Sequence, residues 1–334
     1  MRAVVIAQPG IAKVETVTDP VLIDDEVIVK VLGCGICGTD MHLLREGLPN
    51  IRYPLIPGHE PWGEIVAVPK AEQTLRVGDR VAVDPSIHCG LCLQCRRGRG
   101  NLCARWGAIG GTRNGAWAEF VPVPRRNIHI LEESFPLDCA PIIEPIACAL
   151  RGIEQLNPRA DMSAIIFGAG TMGMLLALLL DMRGVGPVVV AETNEERAKI
   201  ARQLLPATII HPDALDKLEA ELVIDATGSI TAIETAVQCT APGGTMLIFG
   251  VSAPGAKASL APYDIYEREI TIRGSKAILH TFPSAVDTVR RHASRFKPLI
   301  FSAEYPLQRF NSALAMLQSG LAVKVVIQPN SSVS

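Results

Sequence analysis

Long hydrophobic segments are missing from this sequence of 334 residues. The most apolar run, residues 172–180, is followed by Asp181 and is far shorter than the roughly 20 residues that a bilayer-spanning helix needs. The first residues, MRAVVIAQPG, are typical of a short strand and a turn, and they lack the apolar core and the cleavage site of a secretion signal. The sequence therefore predicts a cytoplasmic protein with no membrane partner.

Blocks of like charge are missing as well. The net charge is -2 at pH 7 and the isoelectric point is near 6.4, so no basic surface for nucleic acid is expected. The nine cysteines are an odd number, and four of them lie in one short segment, which argues against a disulfide framework. Hydrophobic residues make up 48% of the chain, enough to form the cores of about two domains.

The pattern of apolar residues changes near Glu144. Before it, short β-type runs such as EVIVKVLG and GEIVAV alternate with turns rich in glycine and proline. After it, strand-like and helix-like runs alternate, beginning with SAIIFGAG and TMGMLLALLLDMRG, up to about residue 282. Such alternation predicts a doubly wound parallel sheet covered by helices on both faces. The expected fold class is α/β, with a β-rich domain beside the parallel sheet.

Four cysteines occur in the segment HCGLCLQCRRGRGNLC with the spacing C-x2-C-x2-C-x7-C. Four thiolates at such spacing can surround one tetrahedral Zn²⁺ and leave no position open for a substrate. The pattern therefore predicts a structural zinc site made of Cys89, Cys92, Cys95 and Cys103.

A glycine-rich motif, G-A-G-T-M-G, follows the predicted strand AIIF and begins a predicted helix. In this context the pattern G-x-G-x-x-G is typical of dinucleotide binding, with the pyrophosphate at the helix N-terminus. Glu192 ends the next strand, where a carboxylate accepts ribose hydroxyls and repels a 2'-phosphate, so NAD is favoured over NADP. Arg197 follows and is either an exposed helix charge or a phosphate contact. The predicted cofactor-binding residues are Gly168, Gly170, Thr171, Met172, Gly173, Glu192 and Arg197.

A second group of metal-binding residue types is dispersed along the chain. Thiolate, imidazole and carboxylate together suit Zn²⁺, and a catalytic zinc keeps one position for water or substrate. The candidates lie in the segments GCGICGTDMH, PLIPGHEPWGEIV and APIIEPIACAL, and they are Cys37, Thr39, Asp40, His42, His59, Glu60 and Glu144.

With these motifs in this order, the chain resembles the zinc-dependent medium-chain dehydrogenases, which include alcohol and sorbitol-type polyol dehydrogenases. The resemblance implies a GroES-like catalytic domain, residues 1–147 and 283–334, wrapped around a Rossmann domain, residues 148–282. It also implies a structural zinc lobe over residues 88–104, a second, catalytic zinc, and NAD as the cofactor. A homodimer or homotetramer is expected for such a protein.

The resemblance also implies roles for individual residues. Cys37 and His59 would bind the catalytic zinc, with Asp40 fixing the tautomer of His59. Glu60, Glu144 or a water molecule would complete the zinc shell, and these alternatives stay open. Glu144 stands where polyol dehydrogenases have a glutamate and ordinary alcohol dehydrogenases a cysteine.

The implied reaction moves a hydride between a secondary alcohol and NAD. Zinc would lower the pKa of the alcohol, and the alcohol proton would leave through Thr39 and the cofactor ribose to His42. The expected substrate is a polyol, sugar alcohol, cyclitol or vicinal diol. Sorbitol itself is disfavoured, because Ala277 and Ile278 replace an arginine–tyrosine pair of the sorbitol enzymes.

Two alternatives to this function are kept. One is oxidation of an amino alcohol, as in L-threonine 3-dehydrogenase, although LLREGLPNIRYPLIPGHE lacks a tryptophan-rich stretch expected of that branch. The other is a catalytically idle relative, which the retained zinc-binding residues disfavour. Further side chains that could line the cleft are Arg45, Arg52, Trp62, Trp106, Arg113, Trp117, Lys276 and His280.

Overall fold

The computed structural model describes residues 1–48, 50–300 and 303–331. The chain forms two compact units, one of Met1–Glu144 with Ile278–Ser334 and the other of Pro145–Ala277. The domain limits expected from the sequence lie three residues later at the first junction, 147 against 144, and five later at the second, 282 against 277. As limits of the catalytic and nucleotide-binding domains, the sequence-based bounds stay a prediction.

Strands are most frequent in the first unit. Numbered along the chain, the strands are β1 Arg2–Gln8, β2 Ile11–Thr16, β3 Glu26–Gly35, β4 Glu60–Ala67, β5 Arg80–Val83, β6 Ser86–Ile87, β7 Gly107–Ala108, β8 Phe120–Pro124, β9 Ile128–Ile130, β10 Ala164–Phe167, β11 Val188–Ala191, β12 Thr208–Ile210, β13 Ala220–Asp225, β14 Thr240–Ile248, β15 Thr271–Gly274, β16 Ala303–Pro306 and β17 Val325–Gln328.

The α-helices connect or flank these strands. They are α1 Gly38–Arg45, α2 Leu93–Arg96, α3 Ile143–Leu156, α4 Thr171–Asp181, α5 Glu195–Leu204, α6 Ile230–Gln238, α7 Pro262–Glu267, α8 Phe282–Phe296 and α9 Phe310–Ser319. In the parts of the chain that the structure describes, none of them is both long and apolar enough to cross a membrane.

Strand β3 organises the main sheet of the first unit, whose order is β16-β17-β3-β4-β5-β9, with β8 also paired to β3. Its valines at 27, 29 and 31 alternate along the strand and are fully buried in the core of this unit. At its C-terminal end β3 pairs with two strands, because Gly35 lies opposite Glu60 of β4 and Val326 of β17. The ends of three strands, distant in sequence, therefore meet at one place.

The second unit has a parallel sheet with the order β12-β11-β10-β13-β14-β15. Numbered within the unit, this order is 3-2-1-4-5-6, the order of a dinucleotide-binding sheet with its switch point between the first and fourth strands. Strand β10 is buried along its whole length, and helix α4 has eight consecutive buried residues, from Gly173 to Leu180. The predicted α/β class and doubly wound parallel sheet are confirmed.

Candidate active site and metal centres

The first predicted ligand lies where β3 passes into α1. Cys37 is the residue before the helix, and its backbone N–H donates to the Asp40 carboxylate at 2.9 Å. Asp40 is fully buried within the first turn of α1. The Cys37 thiol is thereby held at the N-terminus of α1.

The second and third ligands lie at the start of β4. Gly58, just before them, has a φ of +96°, and a Cβ at this position would lie only 2.3 Å from the Trp117 ring. This turn leads into His59 and Glu60, and His59 Nδ1 lies 3.3 Å from Asp40 Oδ1. Burial opposes the charged form of His59, but Asp40 outweighs it and raises the pKa of His59 well above its usual value.

One donor atom from each of Cys37, His59 and Glu60 lies within 4.8 Å of the other two. We call these three residues the mixed-donor site. Its thiol, imidazole and carboxylate suit Zn²⁺ and leave a coordination position open. Asp40 contacts both Cys37 and His59, so one buried carboxylate orients two of the donors.

Glu144 does not belong to this group of mutually close donors. It lies in the first turn of α3, and its carboxylate is near enough to raise the pKa of Lys324. Glu144 therefore lies near the mixed-donor site but is not one of its three mutually close donors.

Thr39 and His42 both lie on α1 and are half-buried. They are three residues apart, so they face the same side of the helix. Thr39 Oγ1 is 3.8 Å from Cys37 Sγ, which puts the hydroxyl beside the mixed-donor site.

Lys324 is a further functional candidate, and it was not predicted from the sequence. It is 2% exposed, its Nζ forms an ion pair with Glu60 Oε2, and it donates to the Ile36 carbonyl at 3.3 Å. Burial opposes the charge on Lys324, but Glu60 and Cys37 outweigh it and raise the pKa of Lys324. The signal in the sequence was a single charge inside the apolar run AVKVVIQ, which by itself names no partner.

The four cysteines of residues 88–104, here called the cysteine lobe, come together as the spacing predicts. Neighbouring Sγ atoms lie 3.5 to 4.0 Å apart, which brackets the edge of about 3.8 Å of a tetrahedron with Zn–S bonds of about 2.3 Å. All four thiols are free of disulfides. The donor set is closed and of one kind, as in a structural site: Cys89, Cys92, Cys95 and Cys103.

Backbone N–H groups point at these thiols. Those of Leu91 and Cys92 lower the pKa of Cys89 to about 5, whereas burial and the neighbouring thiols raise the pKa of Cys95 to about 12. A Zn²⁺ ion would replace the remaining protons, because thiolate is the form that binds metal.

The glycine motif has the geometry that its function requires. Gly168 has a φ of +99°, and a Cβ on Gly173 would lie 1.8 Å from the Gly168 carbonyl oxygen, so neither position tolerates a side chain. Gly170 has nothing within 4 Å of its Cβ position, which leaves open space at the start of α4. Thr171 and Met172 form the first turn of this helix. The motif therefore fits a pyrophosphate at the helix N-terminus.

Glu192 lies 5% exposed beside a cavity of about 410 Å³ that Gly168 and Gly170 also line. Arg197 donates two hydrogen bonds to its carboxylate, at 2.8 and 3.0 Å, and the Ala169 N–H donates another at 2.8 Å. Burial opposes the charge, but Arg197 and the amides outweigh it and lower the pKa of Glu192. Arg197 is thus paired with Glu192 rather than being a free helix charge, and it also lines the cavity, so a phosphate contact stays a prediction.

The other side chains considered for the substrate cleft have mostly structural partners. Arg113 pairs with the buried Glu26, and His280 Nε2 lies 3.2 Å from the Gly98 carbonyl oxygen. Trp62 and Trp117 are buried. Arg45 and Arg52 are exposed.

Two family models match the chain. The alcohol dehydrogenase GroES-like domain matches residues 23–133, and the zinc-binding dehydrogenase model matches residues 171–291. D-altritol 5-dehydrogenase from Agrobacterium fabrum is 36% identical, over 86% of this chain and 87% of its own length. The chain belongs to the zinc-dependent medium-chain dehydrogenase family. This confirms the resemblance, the GroES-like fold of the β-rich domain and the assignment as a dehydrogenase.

Two further relatives of this medium-chain dehydrogenase differ in substrate. D-arabinitol dehydrogenase 1 from Uromyces fabae is 32% identical over 93% of this chain and 92% of its own length. L-threonine 3-dehydrogenase from Symbiobacterium thermophilum is 29% identical over 97% and 96%. The chain is thus similar both to polyol dehydrogenases and to a threonine dehydrogenase.

Two solved structures of similar dehydrogenases contain different cofactors. A zinc-binding dehydrogenase from Sinorhizobium meliloti 1021, bound to NADP, has a TM-score of 0.90 and 30% identity, covering 98% of this chain and 99% of that one. The alcohol dehydrogenase RspB from Escherichia coli CFT073, bound to NADH, has a TM-score of 0.90, 26% identity and the same coverage. The relatives bind nicotinamide dinucleotides of both kinds.

Proposed function

We propose that this medium-chain dehydrogenase oxidises a secondary alcohol of the polyol class with NAD as the hydride acceptor. Sugar alcohols, cyclitols and vicinal diols are the substrates considered. The observation that carries the proposal is the mixed-donor site, in which a thiol, an imidazole and a carboxylate lie close together. The buried carboxylate of Asp40 supports two of these residues, Cys37 and His59. The similarity to D-altritol and D-arabinitol dehydrogenases supports the polyol class.

The proposed enzyme holds two zinc ions. Cys37, His59 and Glu60 would hold the catalytic ion, with Glu144 beside them, and the cysteine lobe would hold the structural one. When bound, the catalytic zinc supplies Lewis acidity that lowers the pKa of an alcohol.

The chain's own residues would then orient the alcohol and accept its proton. Asp40 keeps His59 Nδ1 engaged, so His59 presents Nε2 as its donor. The Thr39 hydroxyl is close enough to the site to take up a proton relay, with His42 one turn further along α1 as the acceptor.

For the cofactor, we propose NAD rather than NADP. Gly168, Gly170 and Gly173 would form the turn around the pyrophosphate, with Thr171 and Met172 in the first helical turn. Glu192 is charged and buried at the cavity, where it would receive ribose hydroxyls and repel a 2'-phosphate. Arg197 would orient this carboxylate rather than bind phosphate.

The domain and assembly proposals follow from the same family. We assign catalysis to residues 1–147 with 283–334 and nucleotide binding to residues 148–282. A homodimer or homotetramer is proposed, since β15 ends the six-stranded sheet with exposed residues at Thr271, Arg273 and Gly274. A cytoplasmic location is proposed from the sequence.

A second candidate is oxidation of L-threonine, which the 29% identical relative favours. We rank it lower because the higher identities are to the two polyol dehydrogenases. Within the polyol class sorbitol stays disfavoured, because the two residues in place of the arginine–tyrosine pair cannot bind its hydroxyl groups. Ile278 is apolar and only 3% exposed, and Ala277 has no polar group in its side chain.

The test is cofactor reduction by the purified, zinc-loaded protein across sugar alcohols, cyclitols, vicinal diols, simple alcohols and L-threonine. NAD and NADP are assayed separately, and a chelator is added to a parallel set. Turnover of a polyol or diol with NAD, abolished by the chelator, is the expected result. Turnover of threonine alone would favour the second candidate, and chelator-resistant turnover would contradict the zinc mechanism.

A further inference from the structure

Lys324 is the only buried basic side chain in residues 1–48, 50–300 and 303–331. Moving an ammonium group out of water is costly, and a buried ion pair offsets that cost only when its geometry is good. A neutral side chain of similar size would fill the same space. The charge at this position therefore needs a reason beyond packing.

The partners of Lys324 connect it directly to the mixed-donor site. Its Nζ contacts Glu60 Oε2, and it donates to the carbonyl of Ile36, the residue before Cys37. The ion pair rests against the backbone of Gly35, where a Cβ would lie 1.8 Å from Glu60 Oε2 and 2.6 Å from Lys324 Cε. The end of β3 thus confines the pair, in which Glu60 is the first residue of β4 and Lys324 is the residue just before β17.

Glu60 consequently faces two cations when zinc is bound. Its carboxylate lies among the zinc donors and also neutralises Lys324. A carboxylate that is already paired with an ammonium group binds a second cation less strongly than a free one does.

We propose that Lys324 is a positioning residue that competes with the catalytic zinc for Glu60 and so limits how tightly Glu60 binds the metal. This keeps a coordination position accessible to the alcohol. The inference rests on the proposed function for the identity of the metal, but not for the identity of the alcohol.

The test is the metal affinity of four proteins: wild type, Lys324→Met, Glu60→Gln and the double variant. Zn²⁺ affinity is measured by chelator competition, and the Co²⁺ forms are compared by absorption, which distinguishes a four-thiolate site from a one-thiolate site. Lys324→Met should bind Zn²⁺ at least about tenfold more tightly at the one-thiolate site, with a changed Co²⁺ spectrum, because Glu60 no longer has a competing partner. In the Glu60→Gln background the same substitution should change the affinity less than about threefold, as expected when the effect acts through that carboxylate.

Lys13→Met is the matched control, because Lys13 also pairs with a glutamate, Glu15, but is exposed. It should leave both measurements unchanged. If Lys324→Met does not fold, Lys324→Gln removes the charge while keeping an N–H donor, and the same tightening is expected.

Unchanged or weaker Zn²⁺ binding in the folded variants would overturn the proposal. An equal shift with and without Glu60 would also overturn it, because Lys324 would then act through space on the metal. Failure of the proposed function itself would look different: the wild type would show no one-thiolate Co²⁺ spectrum at all.

Discussion

The cysteine lobe and the mixed-donor site are built in opposite ways. All four donors of the lobe come from one segment, from Cys89 to Cys103, and are of one chemical kind. Helix α2 within it has no buried residue, and Leu91 and Leu93 are 66% and 61% exposed. The donors of the mixed-donor site instead come from two places, the start of α1 (Cys37) and the start of β4 (His59 and Glu60). Lys324, which pairs with Glu60, donates to the Ile36 carbonyl, 288 residues away in sequence.

This difference shows which interactions keep each site in its observed geometry. The lobe has few apolar contacts of its own, so a metal bound there would supply much of its folding energy. The mixed-donor site is ordered by the surrounding sheet and by Asp40, so it should keep its shape when its metal is lost. Removing a ligand should therefore damage structure at one site and chemistry at the other.

The largest expected effect is on turnover. Cys37→Ala should lower kcat by at least about a thousandfold, because it removes a proposed zinc ligand from the mixed-donor site. The fold should survive, since this thiol lies at a helix start and outside the hydrophobic core. Steady-state kinetics and circular dichroism check both parts.

Cys34→Ala is the matched control for this prediction. Cys34 is fully buried three residues earlier and is not among the donors, so its loss should cost stability while keeping turnover. Full activity in Cys37→Ala would refute the assignment of this site.

A structural effect should dominate in the lobe. Cys92→Ser leaves three thiolate donors, and we expect the segment to loosen and the free energy of unfolding to fall by about 2–5 kcal/mol, as for other losses of a structural link. Trypsin should then cut at Arg96, Arg97 or Arg99, which are exposed. Cys148→Ser, at a thiol outside both donor groups, serves as the control. Protease resistance equal to wild type would mean that the lobe does not depend on its metal.

A smaller effect tests whether the sheet orders the mixed-donor site. Gly35→Ala would push a methyl group into the Glu60–Lys324 pair, at a cost of about 1–3 kcal/mol, typical of overpacking. Turnover should fall together with stability. Gly38→Ala, where nothing lies within 4 Å of the Cβ position, should be close to neutral. If both variants behave alike in urea unfolding and kinetics, close packing at Gly35 is not what positions Glu60.

The smallest expected effect is on how stability depends on pH. It separates the release of metal in acid from the protonation of a half-buried histidine. Burial lowers the pKa of His129 to about 4, and its ring stacks on Phe282 with 4.5 Å between centroids. The unfolded chain, with a pKa near 6.5, binds this proton first as the pH falls, so stability is complete above about 6.5 and declines toward 4. Between pH 7 and 5 the loss should be about 1–2 kcal/mol.

His129→Phe should remove this part of the pH dependence while keeping the stacking with Phe282. Urea unfolding at pH 7 and 5 measures the difference between the two proteins. Equal pH slopes would show that the acid sensitivity does not come from His129.

Features set by local chemistry could be predicted from the sequence. The four-cysteine spacing depends on one short segment, and the structure brings those thiols together. The glycine motif likewise follows from local constraints, such as the φ of +99° at Gly168 and the contact of Gly173 with the Gly168 carbonyl. The alternation of strands and helices also predicted the parallel sheet.

Features set by tertiary contact could not be predicted. Lys324 finds Glu60 only because β3 pairs with both β4 and β17. The sequence predicted Arg197 as an exposed helix charge or a phosphate contact, and its pairing with Glu192 depends on the fold. The short elements α1 and β12 were not predicted as secondary structure, because eight and three residues are too few for a reliable periodicity.

The crowding of thiols in the cysteine lobe has a consequence for redox chemistry. Cys92 Sγ and Cys95 Sγ lie 3.5 Å apart, and a bound metal would occupy the sulfur lone pairs that otherwise react with an oxidant. Without the metal, these neighbouring thiols need only a small movement to form a disulfide, which can no longer bind zinc. A bound zinc would thus protect these thiols, and after treatment with a chelator in air the lobe should bind zinc again only once a reductant has reopened the disulfide.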